Sequence, residues 1–329
     1  MFDMANDSGI FRTRHGLESA KAILVGNRFH KGEETWLPLI EAKMVHIFDH
    51  RFGTYEGQTA AQENQDKLPE FDESAHADIQ QLTHPRYWIA EAEVSQRLSG
   101  RWEREWLIGW RDITNAQNQR TVISSLIPRV AVGNTVPLMI PHVAPTLAGC
   151  LYASLCCFAL DYAARQKVGG THLTYGYLKQ LPVFPPSTYQ DTTPWDNAVS
   201  LQSWILPRVL ELTHTAQDME PFARDAGYCG APFRWDPERR FQLRCELDAV
   251  FFHLYGLSRD DIDYVMDTFP IVRKNDEKTH GEYRTKRVIL ETHDALSKAV
   301  QTGKPYRTPL EPLPASPGAS HGVFAANLP

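Results

Sequence analysis

Residues 158–186 read FALDYAARQKVGGTHLTYGYLKQLPVFPP. Their first residues complete an apolar run over 147–160, whose length and composition predict a buried helix. Two cations, Arg165 and Lys167, follow that run and precede a glycine pair at 169–170. This order suits a polyanion, because cations neutralise phosphates while glycine lets backbone N–H groups approach closely. The stretch therefore predicts a helix that ends at a basic, flexible corner.

The composition is that of a globular protein, with 42% hydrophobic and 22% charged residues in a chain of 329. That length predicts two or three domains of about 100–200 residues each. The formal net charge of -6 provides no global attraction to nucleic acid. A DNA-binding site would therefore have to be a local cationic patch.

The five cysteines include no Cys-x-x-Cys pair, which indicates free thiols and no structural zinc. Free thiols predict a reducing, cytoplasmic location. The amino terminus lacks a secretory signal pattern, and the longest apolar run has fourteen residues against the ~20 needed to cross a bilayer. We therefore expect no membrane association.

The pattern predicts an α+β fold in which a mixed β-sheet with packed helices precedes a mostly helical carboxyl-terminal domain. The expected organisation is a docking region at 1–57, a polar connector at 58–84, an α+β domain at 85–186, a helical domain at 187–303 and a disordered tail at 304–329.

Alternation and helical periodicity predict the individual elements. Strand-like segments occur at 22–29, 87–89, 106–110, 121–123 and 136–140, and helices are expected at 38–48, 198–213, 239–255, 258–267 and 283–300. Ser258, followed by acidic residues, has the pattern of a helix N-cap.

Two groups near the amino terminus are candidates for metal chemistry. Glu41 and Lys43 have the spacing of half a nuclease motif, but the required aspartate partner is missing, so we interpret them as exposed helix positions. His46, Asp49 and His50 would share one helical face. This second set is compatible with a metal-dependent hydrolase, but an aspartate near a helix end with two histidines more often forms a hydrogen-bonded capping cluster.

No catalytic motif is evident elsewhere. Phe184-Pro185-Pro186-Ser187 is superficially similar to the Asn-Pro-Pro-Tyr loop of amino-methyltransferases. Phenylalanine cannot accept a hydrogen bond from a target amine, however, and serine cannot stack on a flipped base. We therefore expect neither a catalytic residue nor a bound metal or cofactor in this chain.

A polar turn in the middle of the chain has the residue types that contact base edges, since Arg pairs with guanine and Asn with adenine. The candidates for base contact are Arg111, Asn115, Asn118 and Arg120. The candidates for contact with the DNA backbone are Arg165, Lys167, Thr171, His172, Lys179, Arg273, Lys274, Arg284 and Lys286. The alternative is an ordinary polar hairpin, a helix-capping glycine turn and a solvated charged face.

Three segments carry a family resemblance, in addition to 158–186. They are EAKMVHIFDHR at 41–51, YGLSRDDIDYVMDTFPIV at 255–272 and GEYRTK at 281–286. With them, residues from about 6 to about 295 resemble the carboxyl-terminal region of type IIG restriction-modification enzymes and related N6-adenine-specific DNA methyltransferases of phage-defence systems.

The resemblance implies that the 85–186 domain is a target-recognition domain, that 1–57 follows a methyltransferase domain, and that double-stranded DNA is the ligand. In that family the S-adenosylmethionine site and the adenine-flipping loop lie upstream, in a region that this chain lacks. It therefore implies a non-catalytic specificity part that works with a methyltransferase domain or subunit. The competing hypotheses are the hydrolase with His46, Asp49 and His50, and an assembly subunit with an exposed aromatic surface around Trp102, Trp106 and Trp110.

Overall fold

The structure is a computed structural model, which describes residues 1–322. It confirms the α+β class, with helices, antiparallel sheets and a mostly helical carboxyl-terminal part. The chain forms two compact units. Unit 1 comprises Met1–Ile113, Ile123–His142 and Thr213–Arg224, and unit 2 comprises Thr114–Val122, Val143–Leu212 and the described residues from Asp225 onward.

The strands of the described residues are short. They are β1 (Ile23–Val25), β2 (Arg28–Lys31), β3 (Glu34–Ile40), β4 (Trp88–Ala90), β5 (Trp106–Trp110), β6 (Ser124–Pro128), β7 (Ala131–Val132), β8 (Leu138–Met139), β9 (Thr192–Thr193) and β10 (Asp196–Ser200).

The helices are concentrated after residue 144. They are α1 (Arg14–Ser19), α2 (Ala60–Asn64), α3 (Glu73–Ala77), α4 (Glu91–Leu98), α5 (Pro145–Cys156), α6 (Phe158–Lys167), α7 (Tyr175–Leu178), α8 (Leu201–Thr213), α9 (Glu220–Asp225), α10 (Pro237–Leu254), α11 (Arg259–Asp267), α12 (Pro270–His280) and α13 (Arg284–Thr302). Short 3-10 helices include Ala42–Met44 and Gln217–Met219.

Unit 1 contains two sheets. Strands β1, β2, β3 and β4 pair antiparallel in that order, and β7 joins β3 in parallel, which makes this sheet mixed. A second sheet has the order β6-β5-β8. All five residues of β5 and of β6 are buried, as expected for strands covered on both faces. Phe29 and Trp88 pack edge to face at 5.1 Å in the core of the mixed sheet.

Unit 2 is built around α10, which packs against α13. Phe251, Phe252 and Leu243 of α10 are fully buried, so this helix runs through the core rather than along its surface. The predicted N-cap is confirmed, because the Ser258 hydroxyl accepts from the backbone N–H of Asp261 and the Asp261 carboxylate accepts from that of Ser258. The helices predicted at 198–213, 239–255, 258–267 and 283–300 correspond to α8, α10, α11 and α13.

No single described helix has the length and apolar composition needed to span a membrane, and α5 and α6 meet those criteria only as a pair bent by 61°. Five cysteines are free in the structure, and Cys229 is exposed.

The helix predicted over 38–48 is wrong. Residues up to Ile40 belong to β3, Ala42–Met44 is a short 3-10 helix, and His46 forms an isolated bridge with Asp49. Phe48 has a left-handed φ of 57°. Such a backbone cannot continue a right-handed helix, so the apolar spacing that favoured one arises from separate core contacts.

Two further segments differ from expectation. The strand predicted at 121–123 begins only at Ser124. Where a disordered tail was predicted, the Tyr306 hydroxyl donates to Glu246 at 2.7 Å and the Tyr306 backbone N–H donates to Trp195 at 3.1 Å. Residues 323–329 of that tail lie outside the described part of the chain.

Candidate nucleic-acid interface

Two predicted DNA-contact segments lie side by side in unit 2. The backbone N–H of Thr114, at the start of the polar loop 114–122, donates to the carbonyl of Thr171 in the glycine turn 167–172 at 2.9 Å. We call the exposed residues of these segments the loop–turn surface. It consists of Gln117, Asn118, Gln119, Lys167, Gly169, Gly170, Thr171 and His172.

Arg165 fixes the loop in place from the carboxyl-terminal part of α6. Its Nη2 donates to the carbonyl oxygens of Asn118, at 2.5 Å, and Gln119, at 3.0 Å. Its Nη1 donates to the carbonyl of Thr268 at 2.8 Å, and the guanidinium lies 3.9 Å from the centroid of the Phe269 ring. Arg165, predicted to contact DNA phosphates, is therefore a residue whose side chain is mostly buried and whose donors serve the protein.

A fully buried carboxylate, Asp161, holds the other end of the loop. Its Oδ2 accepts from Nε of Arg120 at 2.5 Å, and its Oδ1 accepts from the backbone N–H of Thr121 at 2.9 Å. Arg120 also donates to the carbonyl of Cys156 at 2.6 Å and lies 4.1 Å from the centroid of the Phe158 ring. Burial lowers the pKa of Arg120, but Asp161 and Asp248 outweigh it and raise the net value. Arg120 is thus enclosed in unit 2 and presents no donor to a base edge.

Arg111 belongs to unit 1. Its Nε donates to the Val45 carbonyl at 2.9 Å, and its Nη2 donates to the same oxygen at 2.5 Å. Burial lowers its pKa to about 10. The guanidinium supports the segment that was expected to be a helix, so its role in this structure is to hold that segment.

The remaining polar candidates are more accessible. Asn115, which is partly buried, accepts from the backbone N–H of Gln117 at 2.8 Å and so shapes the loop. Asn118, Lys167, Thr171, His172 and Lys179 are exposed. Within residues 1–322, neither Lys167 nor Lys179 forms an ion pair, so both ammonium groups are available to phosphates.

The carboxyl-terminal cations are mostly paired with carboxylates. Arg273 pairs with Glu277 at 2.7 Å, Arg284 pairs with Glu238, and Lys286 pairs with Asp263 at 2.8 Å and Asp267 at 2.9 Å. Lys274 is exposed and has no ion pair among the described residues. An acidic neighbour offsets the charge of each paired cation, so these cations attract phosphates only weakly.

The candidate metal ligands do not converge. The His46 ring packs on Phe52 at 4.9 Å, Asp49 accepts from His76 at 3.1 Å, and His50 pairs with Asp218 at 2.8 Å. Across residues 1–322, no three His, Cys, Asp or Glu side chains are grouped to hold a metal ion.

The other candidates also have structural contacts. Glu41 accepts from the Tyr55 hydroxyl at 2.8 Å, and Lys43 pairs with Asp66 at 2.5 Å. Trp102, Trp106 and Trp110 are 6%, 1% and 1% exposed. The exposed aromatic surface expected of an assembly subunit is therefore not formed by these residues.

Asp161 was not identified from the sequence, although it organises the loop. The available signal was its position four residues before Arg165, a spacing that places both side chains on one helical face. Its partners Arg120 and Thr121 are about forty residues distant in the chain, so their proximity depends on tertiary structure.

The chain matches no protein-family model, no curated protein and no solved structure.

Proposed function

We propose that this chain is the sequence-reading part of an adenine-specific DNA methyltransferase or type IIG restriction-modification system, and that it is non-catalytic alone. Double-stranded DNA would be its ligand. A methyltransferase domain or subunit would bind S-adenosylmethionine and act on the adenine. The family resemblance of the sequence motivates this proposal.

The adjacency of the polar loop and the glycine turn is the observation that carries the proposal. Exposed Asn118 and Gln119 have the amide groups that pair bidentately with adenine. Lys167 is exposed and lies about one helical turn after the buried Ala164. Its ammonium group is placed to contact a phosphate beside the bases that Asn118 and Gln119 would read. A rigidly held amide loop beside an unpaired cation is an arrangement suited to reading bases while gripping the backbone.

The structure also changes which residues should read DNA. Arg111 and Arg120 bond within the protein, so base reading falls to Asn118 and Gln119. Phosphate contact falls to the accessible lysines, Lys167, Lys179 and Lys274. Arg165 becomes a positioning residue, because its guanidinium holds the backbone of both amide residues.

The test begins by selecting a preferred motif from a random duplex pool with the full chain. Binding to that motif and to a scrambled duplex is then measured by fluorescence anisotropy at two salt concentrations. Phosphate contacts require that affinity falls steeply as salt rises. We expect N118A or Q119A to reduce the preference for the motif by about 1–3 kcal/mol, and K167A to weaken both duplexes similarly.

Lys298 is the matched control, since it is an exposed lysine of unit 2 on α13. K298A should bind both duplexes as the parent protein does. Absence of duplex binding at low salt would refute the proposal. Unchanged discrimination in both N118A and Q119A would refute it too, because these two residues are the ones assigned to base reading.

A further inference from the structure

Unit 1 contains a small pocket that is partly open to solvent. Its walls include the apolar side chains of Ile40, Leu82 and Val130. Its polar lining includes Arg28, His50 and Asp218. Apolar walls with a few convergent polar groups are typical of small-molecule sites. Neither the loop–turn surface nor the proposed DNA contacts involve these residues.

Asp218 is a carboxylate held in one orientation. Its Oδ1 accepts from His50 Nε2 at 2.8 Å, which leaves Oδ2 without a hydrogen bond from the described residues. Burial opposes ionisation of Asp218, but His50, Arg51 and Arg28 together lower its pKa. The pocket therefore contains an ionised carboxylate with an unused acceptor.

Arg51 stabilises the chain around Asp218 without using the pocket. Its guanidinium donates to the carbonyls of Asp78 and Gln81, both at 2.8 Å, of His76 at 2.9 Å and of Thr215 at 3.1 Å. This side chain is 1% exposed. Arg51 therefore acts on Asp218 through its charge alone and forms neither a hydrogen bond nor an ion pair with either carboxylate oxygen.

Arg28 is the complementary charge on the pocket wall. It forms no ion pair within 4.0 Å in the described chain, although Asp218 lines the same pocket. Arg28 and Asp218 carry opposite charges and line one pocket without forming an ion pair with each other. Each can therefore form an ion pair with a bound ligand. A ligand that carries both an anionic and a cationic group satisfies both side chains at once, whereas a singly charged ligand satisfies one and meets the other at a cost.

We propose that this pocket binds a small zwitterion of the α-amino-acid class with a compact aliphatic side chain. The ligand carboxylate is held by Arg28, and its ammonium group donates to Oδ2 of Asp218. The aliphatic part packs on Ile40, Leu82 and Val130. His50 keeps the Asp218 carboxylate in position.

The test uses isothermal calorimetry and ligand-observed NMR on the full chain with L-valine. Two analogues remove one charge each: isovalerate lacks the amine, and isobutylamine lacks the carboxylate. We expect saturable binding of L-valine, with each analogue weaker by at least about tenfold, because a charge-assisted contact is lost in each case. Equal binding of isovalerate, or no saturable binding of L-valine, would overturn the proposal.

The protein variants provide an independent comparison. R28Q and D218N should each weaken L-valine at least about tenfold. K31Q should bind L-valine as tightly as the parent protein does, because Lys31 is an exposed residue of the same strand, β2. A melting curve establishes that each variant is folded, and R28Q alone decides the case if D218N unfolds. Parent-like affinity in folded R28Q contradicts the assignment.

Discussion

Nε of Arg120 donates to Oδ2 of Asp161 at 2.5 Å, and the two side chains are 9% and 0% exposed. A buried ion pair of this kind contributes little to stability as a pair, because desolvation of both groups offsets their attraction. Removing one member is different, since it leaves the other charge buried without a partner. The pair therefore makes the fold of the polar loop conditional on both residues.

We expect D161A to lower the free energy of unfolding by about 3–5 kcal/mol, because the Arg120 charge stays buried and the Thr121 N–H loses its acceptor. Urea unfolding monitored by circular dichroism measures this change. D294A is the matched control, because it breaks the exposed pair with Arg259 and should cost no more than about 1 kcal/mol. Equal losses for the two variants would contradict the structural role of Asp161.

His214 of unit 1 predicts loss of stability in acid. Burial lowers its pKa from 6.5 to about 4, so the unfolded chain takes up the proton first as pH falls. Its contribution is complete above pH 6.5 and is lost between about 6.5 and about 4, by at most about 3 kcal/mol. H214Q should have a shallower stability profile across this window. Parallel profiles for the parent and H214Q would show that His214 is not the responsible group.

Asp248 of unit 2 predicts the opposite pH dependence, in which stability is lost as pH rises. Burial raises its pKa from 3.8 to about 6, and its Oδ1 accepts from the backbone N–H of Phe158 at 2.7 Å. The folded state therefore holds the proton more tightly. Its stabilising contribution is complete below pH 3.8 and is lost as pH rises to about 6, by at most about 3 kcal/mol.

D248N tests this assignment, because an asparagine does not titrate and still offers an oxygen to the Phe158 N–H. Chemical denaturation of the parent and D248N at pH 4, 5, 6 and 7 should give curves that diverge between about 4 and 6 and run parallel above. A constant difference over the whole range is the result that excludes Asp248.

Gly53 occupies a site with no room for a side chain. A Cβ there would lie 2.7 Å from the Lys43 carbonyl oxygen, a backbone atom that cannot move independently. We expect G53A to lower the free energy of unfolding by about 1–3 kcal/mol, as overpacking does elsewhere. Thermal unfolding measures the loss. G170A is the control, since a Cβ at that position meets no atom within 4 Å, and a comparable fall in its melting temperature would argue against a steric cause.

Local signals predicted the carboxyl-terminal helices well. Helical periodicity identified α8, α10, α11 and α13, and the acidic residues after Ser258 correctly indicated a helix start. These signals work because caps and amphipathic spacing operate within one or two helical turns. The buried strand β5 was equally evident from its run of aromatic and branched residues.

Long-range contacts determine what the sequence could not predict. The apolar residues over 38–48 have the spacing of a helix. The segment is irregular instead, because Arg111 donates to the Val45 carbonyl and His76 pairs with Asp49 just after it. The sequence indicates both the polar loop and the glycine turn as candidate DNA contacts. Their adjacency, and the role of Asp161 in holding the loop, do not follow from the spacing of residues along the chain. Three predicted DNA contacts, Arg111, Arg120 and Arg165, are engaged within the protein for the same reason.

Neither unit is a continuous piece of the polypeptide, since residues 213–224 belong to unit 1 and follow a long part of unit 2. A single backbone cut between residues 143 and 212 would therefore leave parts of unit 1 in both fragments, and parts of unit 2 in both fragments. We infer that the halves cannot be isolated as autonomous folding pieces by trimming one terminus. Transfer of the polar loop to another protein would consequently require its Asp161 anchor to be moved with it, as one set.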